Sequence, residues 1–404
     1  MRGKIKFLDN KTQKWGFILP DDASRDIHFS ASDFDGAKPI PSDQGADVEF
    51  DLEEDDTGRH ARHVVILDAS GSREQTAVVH PGESLKNWSF VPYMSFRGRN
   101  GKEYSSALQL LADTAIEERW FFGSSPDPKN QYPILDSYLK YTFFKLKQEK
   151  RVLEFRAGDI GWATFNTGLV DRLYDPIYAL FAANERPQPA WRFYDFCVPG
   201  KGSSGKKPTE IFDPLPEPAT YFSSNFDMLL DTSKDIHVDY EHVILDGVGR
   251  DRFPIEFLSH HVPKNFKWRD YSDLLGSEKR DYLASLSQAI EADLQCTRAI
   301  KNRLEDAKAL AEKRTRWNFK TAIPQYYPTH NIMSLLLPLA LVSDEKVDIA
   351  LVVTRNPSGS YQGRTVLPLD WAYQNARLVC RPDSDWLTPD RVESGPERIA
   401  EDTE

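Results

Sequence analysis

The sequence predicts two domains of different class, a small all-β barrel or sandwich followed by a large α+β domain. Three observations predict this. Residues 1–68 alternate apolar and polar side chains in short runs separated by turn clusters. Residues 89–388 mix helical spacing with strand-like runs, and the stretch between, 69–88, is weakly patterned. The chain, 404 residues with 40% hydrophobic content, has the length of roughly two to three domains.

In the first segment Ile5 and Phe7, Phe17 and Leu19, Val48 and Phe50, and Val64 and Ile66 each sit two apart, the period of a strand with one face on a core. Asp9-Asn10-Lys11, Pro20-Asp21-Asp22, Asp35-Gly36 and Asp55-Asp56-Thr57-Gly58 punctuate the runs. Ala69-Ser70-Gly71-Ser72 and His80-Pro81-Gly82-Glu83 lack any period, which marks 69–88 as a linker. Leu108, Leu111 and Ala115 then recur at helical spacing. Leu135, Tyr138, Leu139 and Phe143 do the same after Pro133. Strands are expected at 152–155 and 162–165, and a long helical region at 278–314 with Leu283, Leu286, Ile290 and Leu294 on one face. The runs at 347–354 and 361–369 flank Asn356-Pro357-Ser358-Gly359, a hairpin signature, and Asp370 is placed to cap a short helix through Leu378. Residues 389–404 read as an acidic tail.

A net charge of −11 excludes a global basic field that would draw the chain onto nucleic acid. Cys197, Cys296 and Cys380 lie far apart with no CxxC pair, which predicts reduced thiols. The first residues contain no signal-type apolar stretch, and the longest apolar run, 332–342, contains Pro338 and is too short to span a bilayer. These features predict a cytoplasmic protein without membrane contact.

The clearest chemical signal lies in the first thirty residues. Lys14-Trp15-Gly16-Phe17-Ile18 and Asp26-Ile27-His28-Phe29-Ser30 place aromatic, basic and His residues on two short neighbouring strands. Such a surface stacks unpaired bases of RNA or single-stranded DNA. Residues 1–68 hold nine Lys and Arg against fifteen Asp and Glu, a net of −6, yet Lys4, Lys6, Lys11 and Lys14 cluster near the aromatics.

The same residues carry a resemblance. Gly3-Lys4-Ile5-Lys6-Phe7, Lys14-Trp15-Gly16-Phe17-Ile18, Ile27-His28-Phe29-Ser30, Gly45-Ala46-Asp47-Val48-Glu49-Phe50 and Arg59-His60-Ala61-Arg62-His63-Val64 follow in the order of a cold-shock domain. That family is an OB-type five-stranded barrel that binds single strands by aromatic stacking. The resemblance implies base stacking on Phe7, Trp15, Phe17, His28 and Phe29, with Lys6 and Lys14 at phosphates. Phe7 stands where the family usually has tryptophan, and the second motif lacks the usual Phe between Asp and His.

The large domain offers weaker signals. Gly200-Lys201-Gly202-Ser203-Ser204-Gly205-Lys206-Lys207 almost spells a P-loop, but Lys207 replaces the Mg-binding hydroxyl and Pro208 follows, so a loop is expected. Ile244-Leu245-Asp246-Gly247 lacks the lysine of a nucleotidyltransferase. Asp235, His237, Asp239 and Glu241 alternate, as on the solvated face of an edge strand, and His260-His261 has no companion ligand at metal spacing. No motif calls for a cofactor or a metal. Asn166, Arg355, Asn375, Arg377, Arg381 and Asp383 have the chemistry of a phosphate or nucleotide site, or of a structural Arg–Asp network. Trp317-Asn318-Phe319-Lys320 and Gln325-Tyr326-Tyr327 supply either core aromatics or a further stacking path.

Asn166-Thr167-Gly168-Leu169, Pro324-Gln325-Tyr326-Tyr327 and the stretch from Leu369-Asp370-Trp371-Ala372-Tyr373-Gln374-Asn375-Ala376-Arg377 to Asp383-Ser384-Asp385-Trp386 are similar to an uncharacterised bacterial domain-of-unknown-function family found with RNA-binding modules. The similarity implies a self-contained domain over most of 89–388 and brings no catalytic residues. Three readings stay open at this level: a single-strand binding protein, an enzyme acting on RNA ends or nucleotides, and a protein-interaction scaffold. The oligomeric state is open as well.

Overall fold

The two-residue period of the N-terminal segment produces five strands, β1 (Arg2–Leu8), β2 (Trp15–Pro20), β3 (Ile27–Ser30), β4 (Asp47–Asp55) and β5 (Gly58–Ile66). The computed structural model describes residues 1–8, 15–21, 26–34, 46–55, 58–66, 81–158, 160–185, 188–222 and 224–392. Lys11, Lys14, residues 69–80 of the expected linker and residues 393–404 of the expected tail lie outside them. The described chain forms two compact units, one holding the barrel strands and the other everything from Pro81 onward.

The strands close into a barrel in the order β1-β2-β3-β5-β4, with β3 and β5 parallel and every other pair antiparallel. Closure leaves no open edge. Ile5, Ile18, Ile27, Phe29, Phe34, Val48, Phe50, Ala61 and Val64 fill the interior. Two register details set the outer face. In β2 the inward residues are Gly16, Ile18 and Pro20, so Trp15, Phe17 and Leu19 point outward. In β1 the pairing shifts between Ile5 and Phe7. This irregularity separates two residues that the simple period puts on one face, and it turns Phe7 outward.

The second unit is the α+β region. Residues 81–88, expected at the end of the linker, instead form a 3-10 turn and α1 (Ser84–Trp88), with Leu85 buried and Trp88 packed on Phe143, Phe181 and Trp191. One sheet contains β6 (Ser89–Phe90), β9 (Leu153–Ala157), β10 (Ile160–Val170), β11 (Pro176–Ala183) and β12 (Trp191–Cys197) in the order β6-β12-β11-β10-β9. A short hairpin of β7 (Phe96–Arg97) and β8 (Glu103–Tyr104) precedes α2 (Ala107–Thr114) and α3 (Pro133–Gln148).

A second sheet, β13-β17-β16-β15-β14, is built from β13 (Ile236–Val238), β14 (Ile323–Tyr327), β15 (Ile332–Leu339), β16 (Ile349–Arg355) and β17 (Tyr361–Pro368). Its two faces feed different cores. Leu336, Ala350 and Val352 join α3, α9 (Leu369–Val379) and the first sheet in one core. Leu335, Leu337, Leu351 and Val353 join α5 (Tyr240–Gly249), α7 (Gly276–Ala292) and α8 (Leu294–Trp317) in another. Alternation with both faces apolar is what a sheet covered by helices requires.

Several local expectations are corrected. The glycine-rich stretch is not a loop: α4 (Gly202–Ile211) starts inside it, with Ser204 and Gly205 buried. Lys201 reaches Asp171 and Asp175 at 2.9 and 2.6 Å, so its charge fastens the β10–β11 turn. Asp235, His237, Asp239 and Glu241 do not share a strand face. β13 ends at Val238, Asp239 caps α5 through the His242 N–H, and Glu241 lies in the helix. The helical region at 278–314 breaks at Asp293, whose carboxylate accepts the N–H groups of Gln295 and Cys296 and starts α8. α9 follows Pro368 with no side-chain cap, and Asp370 lies in its first turn instead of capping it. Residues 389–392 are not tail: the carbonyls of Pro389 and Val392 accept the Gly123 N–H, and Val392 is buried. The short helix α6 (Ile255–Ser259) carries Phe257 and Leu258 into the second core.

Candidate nucleic-acid interface

The outward residues of three neighbouring strands meet in a row of rings. Phe17 on β2 stands opposite His28 on β3, and His28 stands opposite His60 on β5. Ring centroids are 5.6 Å apart for Phe7–Trp15, 5.9 Å for Trp15–Phe17, 5.7 Å for Phe17–His28 and 5.4 Å for His28–His60. Trp15 and His28 are nearly parallel, 22° between planes at 6.2 Å. Phe7 is 40% exposed and Trp15 39%, while Phe17, His28 and His60 are half-buried. Five adjoining rings on the outside of a small barrel suit the faces of unpaired bases, which are hidden in a duplex.

Gly16 makes this arrangement fit. A Cβ there would collide with the Phe7 carbonyl and the Phe29 ring, so only glycine lets β1 and β2 approach with Phe7 and Trp15 side by side. Phe29, expected at the surface, is a correction. It is fully buried in the barrel interior against Phe34, because the period of Ile27-His28-Phe29-Ser30 puts Phe29 inward with Ile27. His60 is the ring that the sequence reading missed.

The cations around the rings are paired. Lys6 donates to Asp26 at 2.6 Å and Lys4 to Asp47 at 2.7 Å, and Arg62 bridges Asp33 and Glu53 at 2.5 and 2.7 Å. The hydrogen bond and charge of Asp47 raise the Lys4 ammonium pKa above its ordinary value. Those of Glu53 and Asp33 raise Arg62 in the same way. Asp33 is set by a 3-10 turn whose capping box links the Ser30 N–H to the Asp33 carboxylate at 2.7 Å.

The polar residues of the second candidate site do not all meet in one cleft. Asn166 is buried, donating to the Tyr178 hydroxyl at 3.3 Å and accepting the Gly168 N–H at 2.9 Å. Asn375 is buried and donates to Gln325 at 3.3 Å. Arg377 makes a two-pronged buried pair with Glu118 at 2.6 and 2.8 Å, over the rings of Trp120 and Tyr138. Arg381 lines a pocket of about 290 Å³ that Glu118 also borders, so these two arginines share a neighbourhood. Asp383 pairs with Lys320 at 2.5 Å and also feels the charge of Arg381, while Arg355 lies over the Phe226 ring in other surroundings. Asp246 of the Asp-Gly pair holds Arg250 and Arg252. Among the described residues no group of three or more His, Cys, Asp or Glu could hold a metal, and no helix is long and apolar enough to cross a membrane.

Comparison with known families matches this division. The family described as "Domain of unknown function (DUF3825)" matches residues 111–386, more than half the chain. The chain belongs to the DUF3825 family. Residues 1–67 match the family described as "'Cold-shock' DNA-binding domain", so the barrel is a cold-shock domain. A cold shock-like protein of Thermotoga maritima is 36% identical over 69 residues, which is 17% of this chain and the whole of that protein. Cold shock-like protein CspE of Buchnera aphidicola is 36% identical and CspE of Escherichia coli 35%, each over 69 residues, 17% of this chain and 96% of the relative. These similarities cover the cold-shock domain alone, and the DUF3825 domain carries no assigned chemistry.

Proposed function

We propose that the cold-shock domain binds RNA or single-stranded DNA by stacking unpaired bases on Phe7, Trp15, Phe17, His28 and His60. The observation that carries this reading is the continuous row of outward rings. Leaving Phe7 and Trp15 partly in water forgoes burial that a folded barrel otherwise gains, and a stacked base would recover it. Lys6, with Lys14 beside the ring row in sequence, supplies phosphate contacts. Because Lys6 is held by Asp26, a phosphate must replace an existing partner, which makes the attraction modest. The names and descriptions of the relatives support the reading. The domain boundary falls between Ile66 and Pro81, and the three free cysteines favour a cytoplasmic location.

The test compares an unstructured single strand with a duplex of about half its length, which carries the same number of phosphates, using the full chain. Tighter binding to the single strand supports base stacking. Equal affinity for both would show that only backbone charge is recognised and would overturn the reading.

A further inference from the structure

Residues 313–320 read Lys-Arg-Thr-Arg-Trp-Asn-Phe-Lys, four cations and two aromatics without an acid in a chain of net charge −11. They form the last turn of α8 and the start of the 3-10 turn Phe319–Thr321. The negative end of the helix dipole accounts for arginines in that last turn. It does not account for the aromatics. Trp317 is 89% exposed, the most exposed large apolar side chain among the described residues, and Phe319 is 62% exposed. The comparable stretch Lys264-Asn265-Phe266-Lys267-Trp268-Arg269 behaves differently: Phe266 packs on Tyr282 and Trp268 on Tyr271, as structural aromatics do.

The backbone between the two exposed rings is fixed. Asn318 accepts the Lys320 N–H at 3.1 Å, and its own N–H reaches the Arg314 carbonyl at 2.8 Å. Trp317 borders a groove of about 590 Å³ with Arg314, Lys346, Trp386 and Arg391. Arg314 and Arg391 donate to backbone carbonyls of Asp344 and Asp385, and Lys320 is paired with Asp383. Lys313, Arg316 and Lys346 form no ion pair with any described residue. Glu345 and Asp385 are the acids of the lining. Exposed rings interleaved with unpaired cations fit a base and its phosphate.

We propose that this turn and the groove beside it form a second contact for single-stranded nucleic acid, on the DUF3825 domain. Trp317 and Phe319 stack bases, and Lys313, Arg316 and Lys346 meet phosphates. The proposal extends the reading of the chain as a single-strand binder, and the experiment separates the two. Fluorescence anisotropy of a labelled, unstructured RNA oligomer, and of the matching DNA, is measured with the full chain carrying Phe17→Ala and His28→Ala. Adding Trp317→Ala and Phe319→Ala is expected to weaken the residual affinity about tenfold or more, with an unchanged melting temperature because both rings are exposed. Lys313→Gln with Arg316→Gln is expected to weaken it and flatten its salt dependence. The RNA and DNA arms show which strand is preferred. No residual binding in the Phe17→Ala, His28→Ala chain, or residual binding indifferent to Trp317 and Phe319, overturns the proposal. So does a change in oligomeric state on Trp317→Ala with unchanged RNA affinity, which would make the patch a self-interface. Failure of the barrel reading shows separately, as Phe17→Ala and His28→Ala leaving the affinity of the otherwise unaltered chain untouched.

Discussion

Phe17 and Phe29 are the same residue type on adjacent strands of one barrel, and they have opposite fates. Phe17 faces outward beside Trp15 and His28, whereas Phe29 is sealed in the interior against Phe34. Phe29→Ala is therefore expected to destabilise the barrel by about 3–5 kcal/mol, read as a lower melting temperature. Phe17→Ala, at a half-buried position, should lower melting less than Phe29→Ala and act mainly on binding, at about 1–3 kcal/mol per lost stack. The difference was legible in Ile27-His28-Phe29-Ser30, where strict alternation puts His28 and Phe29 on opposite faces. The motif suggested a second platform, and the period decides against it. His60 was not legible in that way, because its place in the row depends on the parallel pairing of β3 with β5, a contact distant in sequence. Thiol chemistry gives a separate residue-level expectation. Burial pushes the Cys197 thiol up to about 12 and that of Cys296 up to about 11; desolvation raises the Cys380 thiol as well, but Cys380 is the exposed one of the three. Maleimide at neutral pH should label Cys380 first and leave the other two until the chain unfolds, since the thiolate is the reacting form. Equal labelling of all three in the native chain would contradict this placement.

At the scale of elements, the irregularities were harder to read than the regular runs. Two strands of the second sheet, β16 and β17, follow from apolar runs, and their hairpin follows from its Asn-Pro-Ser-Gly turn. The shift in β1 that turns Phe7 outward leaves no mark in local composition, because Ile5 and Phe7 look like one apolar face. The break between α7 and α8 has a marker in Asp293, but the apolar stripe through Leu283, Leu286, Ile290 and Leu294 hides it. The polar residues Asn166, Asn375 and Arg377 carry the right chemistry for a ligand site, and each is buried with a side-chain partner from the domain itself. Arg377 on α9 grips Glu118 ahead of α3 with both side chains buried, so removing one partner strands a charge. Arg377→Ala or Glu118→Ala alone should cost about 3–5 kcal/mol, whereas Arg377→Met combined with Glu118→Leu should recover most of that loss. Denaturant titration of the three variants checks it, and equal losses for single and double changes would contradict a buried pair.

Over the whole molecule, charge limits the mode of binding. The chain carries −11, and residues 1–68 hold more acids than bases. Lys4, Lys6 and Arg62 are already paired, so few counterions are released when a strand arrives. For the barrel's own contacts, the logarithm of affinity should therefore fall with the logarithm of salt at a slope no steeper than about −2, against about −0.7 per phosphate neutralised on a single strand. A markedly steeper slope would mean that charge, not stacking, holds the ligand. The division into barrel and α+β region was legible because alternation and helical spacing are local signals. The role of the DUF3825 domain was not, since its polar residues look alike in sequence whether they bind a ligand or each other. The central claim is that outward rings on the cold-shock domain hold unpaired bases. It is tested most directly by the affinity of the full chain for unstructured single-stranded RNA at one fixed salt concentration, before and after Phe17→Ala with His28→Ala. A loss of about tenfold or more with the barrel still folded at the measuring temperature is the predicted result. Unchanged affinity would contradict it.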